Sequence, residues 1–381
     1  MVAFLDGADT QSFAIAAPVI ASELSIESTQ LGMIFSTGAL GIAMGAIVCG
    51  PIADRTGPKR MLALCTLCFG IFQFATSFAN SFVPLLLLRI LAGVGLGGAA
   101  PCFLALAAAH ASAERRAALL SFLWAFFPLG ALIGGIVNGW IVVHFGWRTV
   151  FLIGGILPIV LAALLTVLVA DTPSPASPSP SAAQLTGRKQ APVWWRERVL
   201  RSRILLLWCV FFAAFGSLAG VAVWMPTILV RSGFSPVYGG LVLSWNAVGA
   251  LISMGAAGYL IERFGPQLLT ISLLGGAVLL AATAFAIPSF AWVATGMVLL
   301  GIMFGLAGSG SIAAVGALLP SDDRSSGLGW SMGMGRLGQV ILPLLMGIIL
   351  QRFGPVATLV GLSVVPAALA FAAWRFANSV R

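Results

Sequence analysis

Long apolar stretches recur along the whole chain, separated by short segments that carry most of the charged and turn-forming residues. Most stretches reach the roughly 20 residues that an α-helix needs to cross a bilayer, whereas a transmembrane barrel would show short alternating segments. The pattern predicts an all-α membrane protein with twelve transmembrane helices. They lie near residues 1–20, 31–53, 61–79, 82–108, 116–142, 148–170, 204–230, 237–261, 267–287, 290–319, 326–350 and 355–376.

Composition supports this class, because 60% of the residues are hydrophobic and only 8% are charged, against about 25% charged in soluble domains. The net charge of +9 is not a nucleic-acid footprint, since the basic residues concentrate in loops between the apolar stretches. The five cysteines all lie in apolar stretches and are expected to be packing residues rather than a metal or redox site. No cofactor is expected.

The distribution of lysine and arginine predicts the orientation. With the N-terminus inside, fifteen of the twenty basic residues fall in inside loops and tails and three fall outside. This is the bias of multi-pass proteins of the cell membrane, so both termini are expected to be cytoplasmic. The two remaining basic residues, Arg89 and Arg336, lie within predicted spans.

A Pro/Ser-rich and then basic segment, residues 171–203, predicts a cytoplasmic linker between two bundles, 1–170 and 204–381. The first helix is expected to be short at its N-terminus, because Met1 stands only five residues before Asp6 and no basic residue precedes the span.

One short turn sequence recurs four times. GPIADRTGP begins at Gly50 and GYLIERFGP begins at Gly258, 208 residues later. Weaker copies, GWIVVHFGW from Gly139 and GIILQRFGP from Gly347, have the same spacing and each follow a stronger copy by 89 residues. A three-span repeat nested within a six-span repeat is typical of alternating-access transporters.

These motifs resemble those of a known family. GPIADRTGPKR and RILAGVGLGG resemble the second loop and fourth span of the major facilitator superfamily. DGADT from Asp6, FGWRTVFLIGGILP from Phe145 and RSSGLGWSMGMGRLGQVILP from Arg324 are similar to its aromatic acid:proton symporters. The resemblance implies the major facilitator fold, two pseudo-symmetric bundles of six helices, and proton-coupled import of a small organic anion of the benzoate or hydroxybenzoate type.

Two alternatives of the same fold stay open, an exporter of amphipathic compounds and a transporter of non-aromatic organic acids. An enzyme is not expected, because the spans carry no Ser/His pair, no H-E-x-x-H and no cysteine–histidine cluster. The expected partners are the organic anion, protons and the lipid bilayer, with no nucleic acid and with a monomer as the functional unit.

Asp6 and Asp9 are the acidic residues within a predicted span, out of eleven in the chain. They are three residues apart and therefore share one helix face. An apolar environment and a second carboxylate nearby both favour the protonated form, which suits a proton carrier. The alternative is a structural ion pair with Arg89 or Arg336.

An arginine within a span is costly unless it faces a cavity, an acid or an anion. Its fork of donors suits a carboxylate, so Arg89 and Arg336 are predicted to bind the substrate's carboxylate, the alternative being a structural or snorkelling role. Side chains of spans 5, 7, 8 and 11 are candidates to contact its ring: Phe127, Trp224, Trp245, Asn246 and Trp330.

The acidic copies of the repeated turn lie at the same predicted membrane face, where a latch between access states would act. The alternative is that they are topology anchors. The predicted gating-loop residues are Gly50, Asp54, Arg55, Gly57, Lys59 and Arg60 in the first copy, and Gly258, Glu262, Arg263 and Gly265 in the second.

Overall fold

The structure is a computed structural model that describes residues 1–110, 116–168 and 197–380. These residues form helices and contain no strand. The helices are α1 (Val2–Glu23), α2 (Ser28–Thr56), α3 (Pro58–Thr76), α4 (Phe82–His110), α5 (Arg116–Phe145), α6 (Trp147–Leu168), α7 (Arg198–Arg231), α8 (Pro236–Phe264), α9 (Gln267–Ala286), α10 (Phe290–Leu318) and α11 (Ser321–Val380).

The long helix α11 is two spans rather than one. Gly354 interrupts it with a φ of +82°, which separates residues 321–353 from residues 355–380. With α1–α10, the described part of the chain therefore holds twelve helical segments, and the predicted fold class is confirmed.

When α11 is counted as one helix, nine of the described helices are long and apolar enough to cross a membrane. The other two are α1 and α3. Polar side chains lower their hydropathy: α1 carries Asp6 and Asp9, and α3 carries Lys59, Arg60 and Gln73.

The last glycine of the repeated turn has a positive φ in all four copies. Gly57, Gly146, Gly265 and Gly354 have φ values of +91°, +81°, +61° and +82°. This region is open to glycine at little cost, whereas other residues are strained there. Each glycine separates two consecutive helical segments, so the repeat in the sequence is also a repeat in the structure.

The 208-residue spacing extends beyond this turn. Ser25 and Gly233, which also have positive φ values of +53° and +94°, are separated by the same number of residues. A Cβ added at Gly41 would lie 2.3 Å from a carbonyl oxygen of α4, and one added at Gly249, 208 residues later, would lie 2.1 Å from a carbonyl oxygen of α10. Small residues thus let equivalent helices cross at backbone contact in both halves.

The chain divides into two compact units. The first comprises Met1–Ile26 and Thr37–Gln190, and the second comprises Glu27–Ser36 and Ala191–Arg381. The first residues of α2 therefore belong with the second unit, where the Ser36 hydroxyl donates to the carbonyl of Val340 at 2.6 Å.

The basic end of the predicted linker is helical. α7 begins at Arg198 rather than at residue 204, so the last residues of the segment 171–203 form its first turns. Arginine and leucine are good helix formers, and here they extend the following span. The Pro/Ser-rich part, up to residue 196, lies outside the described residues.

Polar contacts of the FGWR sequence connect the start of α6 with the end of α1 and with the turn between α3 and α4. Glu23, at the end of α1, accepts a 2.6 Å hydrogen bond from the indole of Trp147 and forms an ion pair with Arg148. Arg148 also donates to Asn80, in the turn between α3 and α4, at 3.2 Å. The hydrogen bonds from Arg148 and Trp147 hold the pKa of Glu23 below its usual range.

Candidate functional site

Three polar side chains meet in the interior of the first unit. Asp9 of α1, Gln73 of α3 and Arg89 of α4 are 7%, 0% and 8% exposed. The Gln73 amide nitrogen donates to Asp9 Oδ1. Arg89 Nη2 donates to Gln73 Oε1 at 2.8 Å and lies 3.7 Å from Asp9 Oδ2. We call these three residues the polar triad.

Close helix crossings hold α3 in position for these contacts. A Cβ at Gly95 of α4 would lie 2.6 Å from the Phe69 nitrogen, four residues before Gln73. A Cβ at Gly155 of α6 would lie 2.5 Å from the Phe74 nitrogen, one residue after it. At these two glycines there is no room for a Cβ, so α4 and α6 both lie directly against the α3 backbone. They do so just before and just after Gln73.

Two aromatic rings cover the guanidinium. The Arg89 Cζ atom lies 5.1 Å from the ring centre of Phe13 and 5.8 Å from that of Phe151. Such contacts stabilise a desolvated cation. The pairing of Asp9 with Arg89 is also the arrangement that the ion-pair alternative describes, so the structure leaves a proton-coupling role for Asp9 as a prediction.

Asp6 lies one turn away from the triad. It lines a small cleft with Thr66 of α3, Leu96 of α4 and Pro158 of α6, and its side chain is only partly buried. Asp6 and Asp9 thus face the same neighbouring helices, although the triad includes only Asp9.

The second predicted arginine lies in the second unit. Arg336 is partly buried on α11 and donates to Gln339 Oε1 on the same helix at 3.0 Å. Its predicted contact with a substrate carboxylate stays a prediction.

The candidates for contact with an aromatic ring fall into two groups. Trp224 and Asn246 are buried, and each donates to a backbone carbonyl, that of Pro343 at 2.9 Å and that of Met297 at 3.2 Å. Both side chains are thus held within the packed interior of the second unit, and their contact with a substrate stays a prediction. Trp245 and Trp330 are 45% and 61% exposed.

The exposed Trp330 stacks on Trp208 of α7, with ring centres 6.3 Å apart. Phe127 of α5 is partly buried, and its backbone carbonyl lies against Gly7 of α1. The contribution of these side chains to a binding site stays a prediction.

The gating-loop residues lie at helix ends. Gly57 and Gly265 form the repeated turn, and a Cβ at Gly50 or Gly258 would meet nothing within 4 Å. The side chains of Arg55, Arg60, Glu262 and Arg263 are exposed, and that of Lys59 is partly buried. Arg263 lies 3.1 Å from the Tyr259 hydroxyl, and the side chain of Asp54 lies outside the described part. The latch stays a prediction.

Gln73 is the site residue that the motifs do not reveal, since it stands alone in an apolar span with no pattern around it. The repeat provides a signal. The positions 208 residues after Asp9, Gln73 and Arg89 are Ser217, Ala281 and Met297. The first half is therefore polar at three positions where the second half has small or apolar residues.

Sequence comparisons identify relatives of this chain. The profile of the Major Facilitator Superfamily matches residues 1–310 and 233–380. The 3-(3-hydroxy-phenyl)propionate transporter of Escherichia coli (strain K12) is 32% identical over 91% of this chain and 84% of its own length. The 4-hydroxybenzoate transporter PcaK of Pseudomonas aeruginosa is 27% identical over 90% of this chain and 82% of its own length. The gallate transporter of Pseudomonas putida is 28% identical over 98% of this chain and 89% of its own length.

Solved structures share the fold. A bacterial homolog of the human lysosomal transporter Spinster matches with a TM-score of 0.82 and 18% identity, covering 99% of this chain and 95% of that one. A D-xylose–proton symporter matches with a TM-score of 0.77 and 19% identity over 98% and 96%. At this level of identity the likeness concerns the fold alone.

Proposed function

The chain belongs to the Major Facilitator Superfamily, and we propose that it imports a small aromatic carboxylate together with protons by alternating access. Its family and its relatives are transporters, which sets it apart from enzymes. The relatives' names support an aromatic acid of the hydroxybenzoate or hydroxyphenylpropionate type as the substrate class. The lysine and arginine distribution supports insertion in the inner membrane with both termini in the cytoplasm.

The observation that carries the proposal is the buried polar triad. While Asp9 is ionised, its charge neutralises much of the charge of Arg89, which lies 3.7 Å away. A proton on a carboxylate oxygen of Asp9 removes this neutralisation. The desolvated guanidinium then attracts another anion, and a carboxylate suits its paired donors.

Proton binding and anion binding therefore favour each other at this site. A transporter must not return loaded with protons alone, or the proton gradient leaks. The coupling between the two sites meets this condition. Asp9 holds its proton most firmly while an anion is bound at Arg89, and it releases the proton more readily once the anion has left. Asp6 provides a second carboxylate one turn away on the same helix.

Uptake by purified protein in proteoliposomes tests the proposal. Labelled 4-hydroxybenzoate, an aliphatic acid and a sugar acid are compared with and without an imposed pH gradient, acidic outside. We expect 4-hydroxybenzoate to accumulate above its outside concentration when the gradient is imposed and only to equilibrate when it is absent. Carboxylic acids with a pKa of about 4 are almost wholly ionised near pH 7, which limits passive entry.

Protein-free liposomes measure the passive entry that remains, and a protonophore should remove the accumulation. Accumulation of the aliphatic or the sugar acid in place of the aromatic acid would contradict the substrate class. Accumulation of the aromatic acid that does not respond to the gradient would contradict proton coupling.

A further inference from the structure

We propose that Gln73 is a positioning residue, an uncharged spacer that keeps Arg89 from donating a direct hydrogen bond to Asp9. The transport consequence of this inference rests on the proposed function. The spacing itself can be measured on the protein without substrate.

The side-chain amide of Gln73 contacts one charged group with its nitrogen and the other with its oxygen. Its NH2 group faces the carboxylate of Asp9, and its oxygen accepts the hydrogen bond from Arg89. An ionised carboxylate only accepts hydrogen bonds and a guanidinium only donates them, so this orientation satisfies both ends at once. Gln73 is fully buried, which removes water as a competing partner.

The distances point to a spacer. The Arg89–Asp9 separation of 3.7 Å is longer than a charge-assisted hydrogen bond, which is about 2.7–2.9 Å. A bidentate, buried Arg–Asp pair would be hard for a substrate carboxylate to displace. The inserted amide keeps Arg89 in place while its contact with Asp9 stays weak enough to exchange.

The repeat shows that a helix at this place in the fold does not need a polar residue, although Ala281 is only partly buried and Gln73 is fully buried. The equivalent positions of the second unit, Ser217, Ala281 and Met297, lie in helices of the same kind at the same repeat spacing. The second unit forms its bundle with alanine where the first has glutamine. Gln73→Ala therefore copies a residue that the fold accepts at the equivalent position.

The charged groups around Asp9 are few among the described residues. Its own helix carries Asp6 one turn away, and α4 contributes Arg89. The packed helix α5 contributes the neutral Asn138, which bonds Ser12. The helix α6 contributes the Phe151 ring beside Arg89. Its basic residue, Arg148, pairs with Glu23 at the far end of α1.

The helix α3 contributes two thiols. Cys65 and Cys68 precede Gln73 by eight and five residues.

The test is an infrared titration of the full-length protein in lipid, without substrate. The signal is the carbonyl band of a protonated carboxylic acid that is missing in Asp9→Asn. In Gln73→Ala, Arg89 can move onto Asp9 and favour its ionised form, so the midpoint should shift by about one pH unit or more towards acid. In Gln73→Glu, a second carboxylate beside Asp9 should shift the midpoint by a similar amount towards alkaline pH.

The acid shift in Gln73→Ala is the result that distinguishes a spacer, because a merely structural role would lower protein yield without it. The alkaline shift in Gln73→Glu checks that this position lies against Asp9. Unchanged midpoints in folded variants, or an alkaline shift in Gln73→Ala, would overturn the inference. Because no substrate is present, failure of the proposed transport function would not affect this measurement. A normal uptake assay combined with unchanged midpoints would overturn the role of Gln73 alone.

Discussion

Asp9→Asn should abolish accumulation of the aromatic acid against its gradient while leaving exchange of substrate across the membrane intact. Asparagine has nearly the shape of a protonated aspartate, so Arg89 keeps a neutral neighbour and remains able to bind an anion. Exchange needs no net release of protons, whereas accumulation does. The measurements are gradient-driven uptake and counterflow of labelled 4-hydroxybenzoate in the same proteoliposome preparation.

Glu197→Gln is the matched control, because Glu197 is an exposed acid at the start of α7. It should accumulate substrate as the wild type does. Asp6→Asn is also expected to lose accumulation, since Asp6 faces the same helices as Asp9. Accumulation by both aspartate variants would remove this helix face from the proton path.

Arg89→Lys should weaken binding of the aromatic carboxylate at least tenfold, which corresponds to about 1.4 kcal/mol. Lysine keeps the charge that Asp9 needs in a buried site, so the first unit should still fold. It has neither the planar fork that holds a carboxylate at two points nor a flat group to lie between Phe13 and Phe151. Calorimetric titration of the purified variant with 4-hydroxybenzoate measures the loss.

The control for this substitution is Arg352→Lys, at an exposed position of α11. It should bind as the wild type does. Arg336→Lys, measured in parallel, tests the second predicted arginine and is also expected to bind at least tenfold more weakly. Unchanged affinity in both Arg89→Lys and Arg336→Lys would place the carboxylate site elsewhere.

The fold could be predicted well from the sequence because its two determining signals are local. Apolar length predicts the spans, and the spacing of 208 residues predicts equivalent turns, which the positive φ values of Gly57 and Gly265 confirm. The start of α7 was not predicted. Arginines outside an apolar stretch suggest a surface segment, although arginine also extends a helix readily.

The candidate site could be predicted only in part. An aspartate or arginine in an apolar span stands out because its burial is costly, so Asp9 and Arg89 could be singled out. Gln73 carries no such signal by itself, because its side chain is uncharged, and it stands out only when the two halves are compared and Ala281 occupies the equivalent position. Trp224 shows why an aromatic in a span is an ambiguous signal: it is fully buried here, and its contact with a substrate stays a prediction.

Proton movement during downhill transport is the most direct test of proton-coupled import through Asp9. Proteoliposomes with equal pH on both sides are given 4-hydroxybenzoate outside, and a trapped pH-sensitive dye follows the interior. Proton coupling through Asp9 predicts rapid interior acidification in wild-type vesicles that is lost in Asp9→Asn vesicles, although the label still enters both. Entry of the label into wild-type vesicles with no more acidification than in protein-free liposomes would contradict proton-coupled import.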